Sequence, residues 1–502
     1  MHRQCTRESV VCNLAQRPAP RRYRSDGSRP ARGYVCERPL PTCPRERRRA
    51  TLPRRINRTE RSRPPHARTR CVPVSGAPAR ADVAGRSEAT AQTLRRAFEA
   101  FWRRHGHAQL PEVSLINPGS AGTYFIGSAL TPHLRYFIEP SQAPSDRMFT
   151  AQRVFWTRRA DLGGHSALWN LLQVMLSFYA LGVRSIDEHL ELMRMFLVED
   201  LRLPEADLFV IAERRDDILT QVRRAGFAPD RVIAWTRMMQ FSAHQLRGTY
   251  VRIVLRYRHG LIPLWDLIYI PRGDAVDLDS CMLLERVSFV VDGASSWFET
   301  PVFGPFMRYA PPTEPLVYEQ VAVIARAVIG ALADGADCGA RGAGHVVRRL
   351  FRTGRALARQ TGAPPLRSLA PAAFECLQAV GYDFSGHLER VVHTLEREER
   401  LAQDHERRAV AFLEREVARR RARGLRVIGN EEFAAWTDSR GIAPTDAIAF
   451  LEQQGYAAPR PPVRVRPVLM TDLYPRTVPD APIADARAVL EAMEHRYLPI
   501  HG

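Results

Sequence analysis

The chain has 502 residues, of which 45% are hydrophobic, so it is long enough to bury a sizeable core and to form about two to four domains. All 73 basic residues are arginine, and the net charge of +19 favours polyanionic partners such as nucleic acid or an anionic membrane surface, although a GC-rich coding sequence explains the same bias. The absence of an apolar run of about 18 residues and of an apolar secretory signal excludes a membrane span and predicts a soluble, cytoplasmic protein.

Residues 1–88 are rich in Arg, Pro, Ser and Gly and have few periodic apolar positions. We predict that this leader is disordered, because it cannot bury enough surface to offset its chain entropy; a mis-assigned start codon explains it equally well. The cysteines form neither a disulfide framework nor the usual spacing of zinc ligands, so no zinc and no other metal site is expected. Five of the eight lie in the leader and three are scattered further along: Cys5, Cys12, Cys36, Cys43, Cys71, Cys281, Cys338 and Cys376.

The segment 89–312 mixes helical and strand patterns. Leu94, Phe98, Phe101 and Trp102 recur at helical spacing and predict an amphipathic helix that ends near Gly106. Helical spacing returns at 186–196. A buried strand fits 168–179, and strand candidates or short buried segments follow at 208–212, 251–257, 263–270 and 282–291. This mixture predicts an α+β fold with an antiparallel sheet.

The segment 313–458 is predicted to be all-α, because long stretches with helical periodicity occupy 316–333, 344–360 and 386–423. The last stretch alternates Glu and Arg closely enough for i,i+4 pairing, which a solvated or bundle-packed helix without a special partner also shows. Residues 459–502 form a Pro-rich tail with one predicted helix at 484–497.

The residues from Asp279 to Arg286, D-S-C-M-L-L-E-R, resemble D-T-G-M-G-L-E-R, which is motif 3 of the alanyl-tRNA synthetases, a class II family. The resemblance implies that Asp279 binds the α-ammonium group of an amino acid. It also implies that Arg286, with Glu285 beside it, neutralises the outer phosphates of a bent ATP. Both glycines of the motif are replaced, by Cys281 and Leu283. Larger residues there reshape the pocket.

Six segments resemble this family in the same order, over about residues 94–456. The implied fold is a class II aminoacylation core, an antiparallel sheet flanked by helices at 89–312, followed by a helical tRNA-recognition domain at 313–458. The chain has no counterpart of the H-x-x-x-H editing module or of the C-terminal dimerisation domain. We therefore expect a divergent, truncated relative that is a monomer or a class II-type homodimer.

Residues 152–162 resemble motif 2, whose arginine holds the ATP α-phosphate in the family, but Trp156 occupies the place of that arginine. The expected ATP contact near the start of this segment is Arg153. Arg158 or Arg159 reaches the phosphate if the loop is shortened, and two solvated loop arginines are the alternative.

Residues 264–269, L-W-D-L-I-Y, resemble the family strand I-W-N-L-V-F that lines the alanine pocket. This similarity implies that Trp265 and Asp266 contact the amino acid. Outside the alignment, Trp265 reads as a half-buried sheet tryptophan.

The region 326–355 resembles the helix that approaches the tRNA acceptor stem in the family, and Asp438 matches an aspartate that helps to read the stem. A basic helical face suits phosphate contact whatever the RNA sequence. In so arginine-rich a chain, solvated helix arginines are an alternative. The implied tRNA-binding residues are Arg326, Arg348, Arg349, Arg352 and Asp438.

Three functions follow from the resemblance. The first is ATP- and Mg²⁺-dependent activation of alanine or another small amino acid, followed by transfer to tRNA. Such a reaction relies on positioning and charge neutralisation more than on acid–base catalysis. The second is activation of an amino acid for a different acceptor in specialised metabolism. The third is an inactive tRNA-binding module, which the glycine replacements favour.

Overall fold

The computed structural model of the protein describes residues 91–457, apart from 117–122, 157–169, 236–237, 239, 258–259, 295, 313–314, 426, 441 and 443. The predicted leader and the predicted tail lie outside these residues. Nine strands are formed within the described part: β1 (Ala108–Gln109), β2 (Arg147–Phe155), β3 (Leu172–Val183), β4 (Leu208–Glu213), β5 (Val232–Trp235), β6 (Gln240–Ala243), β7 (Leu246–Tyr257), β8 (Gly260–Arg272) and β9 (Ala275–Leu283). The α-helices there are α1 (Ala91–Arg104), α2 (Leu134–Ile138), α3 (Asp187–Met195), α4 (Asp216–Arg224), α5 (Leu284–Val291), α6 (Pro315–Ala333), α7 (Gly342–Thr361), α8 (Ala370–Ala379), α9 (Leu388–Ala422), α10 (Asn430–Arg440) and α11 (Pro444–Gln453).

The strands form one sheet in the order β1-β2-β3-β9-β8-β7-β4-β5, with β6 paired to β7. The β1–β2 and β4–β5 pairs are parallel, and the central pairs are antiparallel. Helices flank this sheet and predominate after it in the described part of the chain, which confirms the predicted α+β class. The strand alternative for 282–291 is wrong, because α5 begins at Leu284; a short apolar run fits a buried helix as well as a strand.

Side chains alternate between the two faces of the central strands. One face, here called the helix face, packs in the main apolar core with α1 and α3 and includes Val174, Phe178, Trp265, Leu267 and Leu278. The other, here called the carboxylate face, includes Ser177, Tyr179, Asp266, Asp279 and Cys281. The segment 125–143, which contains α2, covers this second face, since Leu130 and Phe137 share an apolar cluster with Tyr179 and Ile268.

The long helices after residue 312 pack directly on the sheet. A Cβ atom on Gly330 of α6 would overlap the side chain of Leu172 on β3, and one on Gly354 of α7 would lie 2.8 Å from Cγ2 of Ile324. Glycine therefore permits a close helix approach at both places. The main core extends from Ala91 to Leu395, and α10 and α11 close a separate cluster around the end of α9. The domain boundary between residues 312 and 313, which separates the predicted aminoacylation core from the predicted helical domain, stays a prediction.

Candidate functional site

Asp279 lies in the middle of β9 on the carboxylate face. It is opposite Tyr179 on β3 and Ile268 on β8, and it is 4% exposed. Burial raises its pKa well above the usual value; the backbone amide of Ser280 opposes this shift and the nearby Asp266 adds to it. It forms no ion pair with any residue in the described ranges, so a positively charged ligand group would find a carboxyl group without a counter-charge there and would favour its ionised form.

The second carboxylate on this face, Asp266, is already neutralised. Arg252 of β7 donates two hydrogen bonds to it in a bidentate ion pair, with Nε–Oδ1 and Nη2–Oδ2 distances of 2.6 and 2.9 Å. Cys281, directly opposite Asp266 on β9, has its thiol pKa raised first by burial and then by Asp266 and Asp279. The thiol is therefore protonated at neutral pH. Asp266 thus lies on the face of the predicted pocket, and its charge is already balanced by Arg252.

Three buried polar groups that the sequence did not single out lie near the β3 partner of Asp279. Ser177 and Tyr179 of β3 are fully buried and their hydroxyls interact with each other, and His133 before α2 is 4% exposed and packs on the Tyr179 ring. His133 Nε2 has no hydrogen-bond partner within the described part of the chain. Burial, then Arg135, lowers the pKa of His133 to about 4, so its ring is neutral at pH 7. No local motif marks these residues, because the fold brings them together.

Glu285 of motif 3 lies inside the protein. Its Oε1 accepts a bond from Arg326 Nη2 at 2.8 Å, and its Oε2 accepts one from the Val174 amide at 2.9 Å. Arg326, 1% exposed, also donates from Nη1 to the Leu172 carbonyl at 2.5 Å. This buried pair joins α6 to α5, and its further bonds to the Leu172 carbonyl and the Val174 amide connect both helices to β3. Neither side chain is on the surface, so we no longer propose Glu285 as an ATP ligand or Arg326 as a tRNA contact.

The position where the resemblance implies that substrate approaches the backbone of β9 is filled by larger side chains. Cys281 and Leu283 stand where motif 3 has glycines, and Leu283 is 2% exposed. It belongs to a cluster with Ile126, Ala129, Val154 and Met175, against which Cys281 and Trp156 pack. The Trp156 indole donates to the Gly127 carbonyl at 2.8 Å, which ties the covering segment to β2. The described side chains leave this part of β9 closely packed.

The two arginines expected near the phosphates are engaged elsewhere. Arg153 lies on the helix face, where Nε is 2.7 Å from Glu112 and Nη1 is 2.6 Å from Asp334. Its guanidinium also lies 4.6 Å from the centre of the Tyr382 ring. Arg286 is half-buried and donates from Nη1 to the Pro263 carbonyl at 3.0 Å. Arg158 and Arg159 lie outside the described residues.

Trp265 lies on the helix face, which is the other side of the sheet from Asp279. It is 1% exposed and is surrounded by aromatic rings at centroid distances of 5.9 Å for Phe98, 6.0 Å for Phe178 and 5.8 Å for Phe196. From this position it does not line the pocket on the carboxylate face. It packs the core instead.

The predicted tRNA-binding arginines of α7 divide into two groups. Arg348 is bound by the buried Glu398 at 2.8 and 2.9 Å and braces α7 against α9. Arg349 and Arg352 are exposed on the outer side of α7. Arg341 and His345, which sequence reasoning missed, are exposed on the same side. The side chain of Asp438 lies outside the described positions.

None of the helices among the described residues combines the length and apolar character needed to cross a membrane. No group of three or more His, Cys, Asp or Glu side chains among these residues is arranged to hold a metal ion. The expectation that zinc is absent stays a prediction.

Comparison with known proteins gives distant matches. The chain is 24% identical over 312 residues to the alanine–tRNA ligase of Desulfitobacterium hafniense (strain Y51), covering 54% of this chain and 36% of the relative. It is 23% identical over 395 residues to that of Pelotomaculum thermopropionicum, covering 70% and 45%. This chain is a distant, synthetase-like relative of the alanine–tRNA ligases. It spans between about a third and a half of the length of these relatives.

Solved structures give a weaker likeness. The apo histidyl-tRNA synthetase of S. aureus matches with a TM-score of 0.29 and 8% identity, covering 40% of this chain and 66% of that one. The pyrrolysyl-tRNA synthetase of Desulfitobacterium hafniense matches with a TM-score of 0.24 and 14% identity, covering 41% and 71%. No family model matches the chain.

Proposed function

We propose that the chain is a tRNA ligase-like protein that holds a small amino acid and a tRNA but does not form an aminoacyl adenylate. The packing of Leu283 carries this proposal. Its side chain stands where motif 3 has glycine, and it is sealed by Ile126, Ala129, Val154 and Met175. A nucleotide on this part of β9 would have to displace a closely packed apolar cluster.

Recognition of the amino acid is assigned to Asp279. Its buried carboxylate has no counter-charge among the described residues, and the neighbouring Asp266 is taken by Arg252. One ammonium group would balance the site. Alanine, the amino acid in the names of the relatives, is the reference ligand for this proposal.

Recognition of tRNA is assigned to the outer side of α7, here called the α7 basic stripe: Arg341, His345, Arg349 and Arg352. Exposed arginines along one helix side suit contacts with a phosphate backbone. Asp438 remains part of the proposed tRNA surface. The proposed location is the cytoplasm.

A second candidate is an AMP-forming alanine–tRNA ligase that uses ATP and Mg²⁺, with Arg158 or Arg159 replacing the motif 2 arginine. The names of the relatives and the retention of Arg286 after β9 favour it. Activation for a non-tRNA acceptor belongs to the same candidate, because it also requires an adenylate.

Pyrophosphate exchange, measured with each of the twenty amino acids, separates the two candidates. We expect no exchange above background. Exchange that Arg286→Ala abolishes would support the second candidate and overturn the first. Exchange without tRNA charging would indicate a different acceptor.

The tRNA half is tested by filter binding over a salt series. Removing two phosphate contacts in the double variant Arg349→Ala/Arg352→Ala should lower the slope of log affinity against log salt by about two. Arg223→Ala, at an exposed arginine of α4, is the matched control and should leave the slope unchanged. An unchanged slope in the double variant would remove the stripe from the proposal.

A further inference from the structure

One exposed aromatic ring stands beside the α7 basic stripe. Tyr124 is 57% exposed, and among the exposed large apolar residues of the described part it is the aromatic one; the others are aliphatic residues or methionine. A Cβ atom on Gly342, the first residue of α7, would lie 3.8 and 3.9 Å from Cε1 and Cδ1 of this ring. The ring therefore borders the first turn of α7, where the stripe begins at Arg341, and more than half of the residue is open to solvent.

The segment that carries Tyr124 is held by buried contacts. Phe125 pairs with Ile116 in a short antiparallel bridge. Its side chain is buried, and its ring is centred 4.6 Å from that of Phe155 on β2. Neighbouring residues of an extended chain project to opposite sides, so the burial of Phe125 directs Tyr124 outward.

The same segment is tied to the turn that leads into α7. Asp334, in that turn, accepts hydrogen bonds from the Ser114 hydroxyl at 3.0 Å and from the Leu115 amide at 2.6 Å. The Ile126 amide donates in turn to the Leu115 carbonyl at 2.9 Å. These bonds fix the position of the Tyr124 ring relative to the stripe. A ring that is already held in place loses little conformational entropy when a flat ligand stacks on it.

The charge around the ring suits a polyanion. The stripe contributes exposed arginines, and the first turn of α7 contains no acidic residue. The two carboxylates of the preceding turn are paired, Asp334 with Arg153 and Asp337 with Arg397. An exposed ring alone is common on protein surfaces. Cations that hold a phosphate backbone beside a ring that stacks on bases are instead typical of surfaces that bind unpaired nucleic acid.

We propose that Tyr124 stacks on an unpaired base of an RNA whose adjoining duplex lies along the α7 basic stripe. The stripe alone would bind any duplex through its phosphates, and an intact duplex keeps its bases stacked on one another. Tyr124 thus makes this surface selective for a duplex that continues as a single strand. The inference rests on the tRNA recognition proposed above, which supplies the cations.

Filter binding of the full chain to three RNA hairpins tests this inference. One hairpin is blunt, one has a short single-stranded 3′ extension, and one has the same extension without bases, so that the last two differ in bases and not in phosphates. We expect the extension with bases to bind about tenfold more tightly than the abasic one, which is the effect of one stacked base. Tyr124→Ala should remove this difference and leave the salt slope unchanged, because no phosphate contact is lost. Tyr124→Phe keeps the ring and should keep the difference.

Met307→Ala is the matched control, because it removes another apolar side chain, 50% exposed, in the segment 304–309 before α6. It should keep the tenfold difference. Equal binding of the extended and abasic hairpins by the wild-type chain would overturn the stacking and leave the stripe to its own test with Arg349→Ala/Arg352→Ala. A difference that survives Tyr124→Ala would also overturn it. Absence of RNA binding by the wild-type chain would remove the stripe and this inference together.

Discussion

The middle and the C-terminal end of strand β9 differ in chemistry although they share one face of the sheet. Around Asp279 in the middle the buried side chains are polar: a carboxyl group without a counter-charge among the described residues, the Ser177 and Tyr179 hydroxyls and a histidine ring nitrogen without a described partner. At the Leu283 end the face is apolar and closely packed, and the following Glu285 is fully bonded inside the protein. Unpaired buried polarity favours a ligand, whereas complete packing favours stability. We therefore propose that β9 recognises the amino acid at its middle and does not bind a nucleotide at its C-terminal end.

The largest expected effect concerns Glu285. Glu285→Gln leaves Arg326 buried without a counter-charge and should cost about 3–5 kcal/mol of unfolding free energy, measured by urea titration. The matched control is Glu375→Gln, which breaks the exposed Arg308–Glu375 pair and should cost less than about 1 kcal/mol. Similar costs for the two variants would mean that the Glu285 end is open to solvent.

Leu283 gives the next largest effect. Leu283→Ala should destabilise the protein by about 2–5 kcal/mol, because it leaves a cavity in the cluster with Val154 and Met175. The control is Leu401→Ala on α9, where the leucine is 47% exposed and the expected cost is within about 0.5 kcal/mol. If Leu283 instead lined an open nucleotide site, its replacement would cost little more than the control.

Asp279 gives the smallest effect, and its sign depends on pH. Its folded pKa is raised, so the stability that it contributes is complete below the unfolded pKa of about 3.9 and is lost as pH rises towards the folded pKa. Asp279→Asn removes this dependence, so the variant should gain stability on wild type as the pH rises from 4 to 7, which urea titrations over this pH range measure. Parallel stability curves for the two proteins would contradict a buried carboxylate without a counter-charge.

Much of this contrast was within reach of the sequence. The alignment of motif 3 identified Asp279, Glu285 and Arg286 and both glycine replacements, and the α+β class followed from the pattern of apolar runs. The strand alternative for 282–291 failed at Leu284, where the apolar run continues as a helix. Local periodicity does not distinguish these states in so short a segment.

The sequence could not assign side chains to faces or partners. Trp265 and Asp266 are adjacent, so they project to opposite faces, and which of them meets Asp279 depends on the β8–β9 register. Likewise Arg326 and Arg349 are both helical arginines, but only Arg326 is buried. Its partner Glu285 is 41 residues away in sequence, so local sequence does not show that the two are in contact. Ser177, Tyr179 and His133 carried no signal, because three separate chain positions meet through folding alone.

The most direct test of the account is equilibrium dialysis of the full chain with radiolabelled ATP and Mg²⁺, with and without amino acid. The account predicts no saturable ATP binding up to about 1 mM, a concentration at the upper end of typical enzyme KM values. Saturable binding that Arg286→Ala abolishes would contradict it, because a nucleotide would then occupy the face that Leu283 fills.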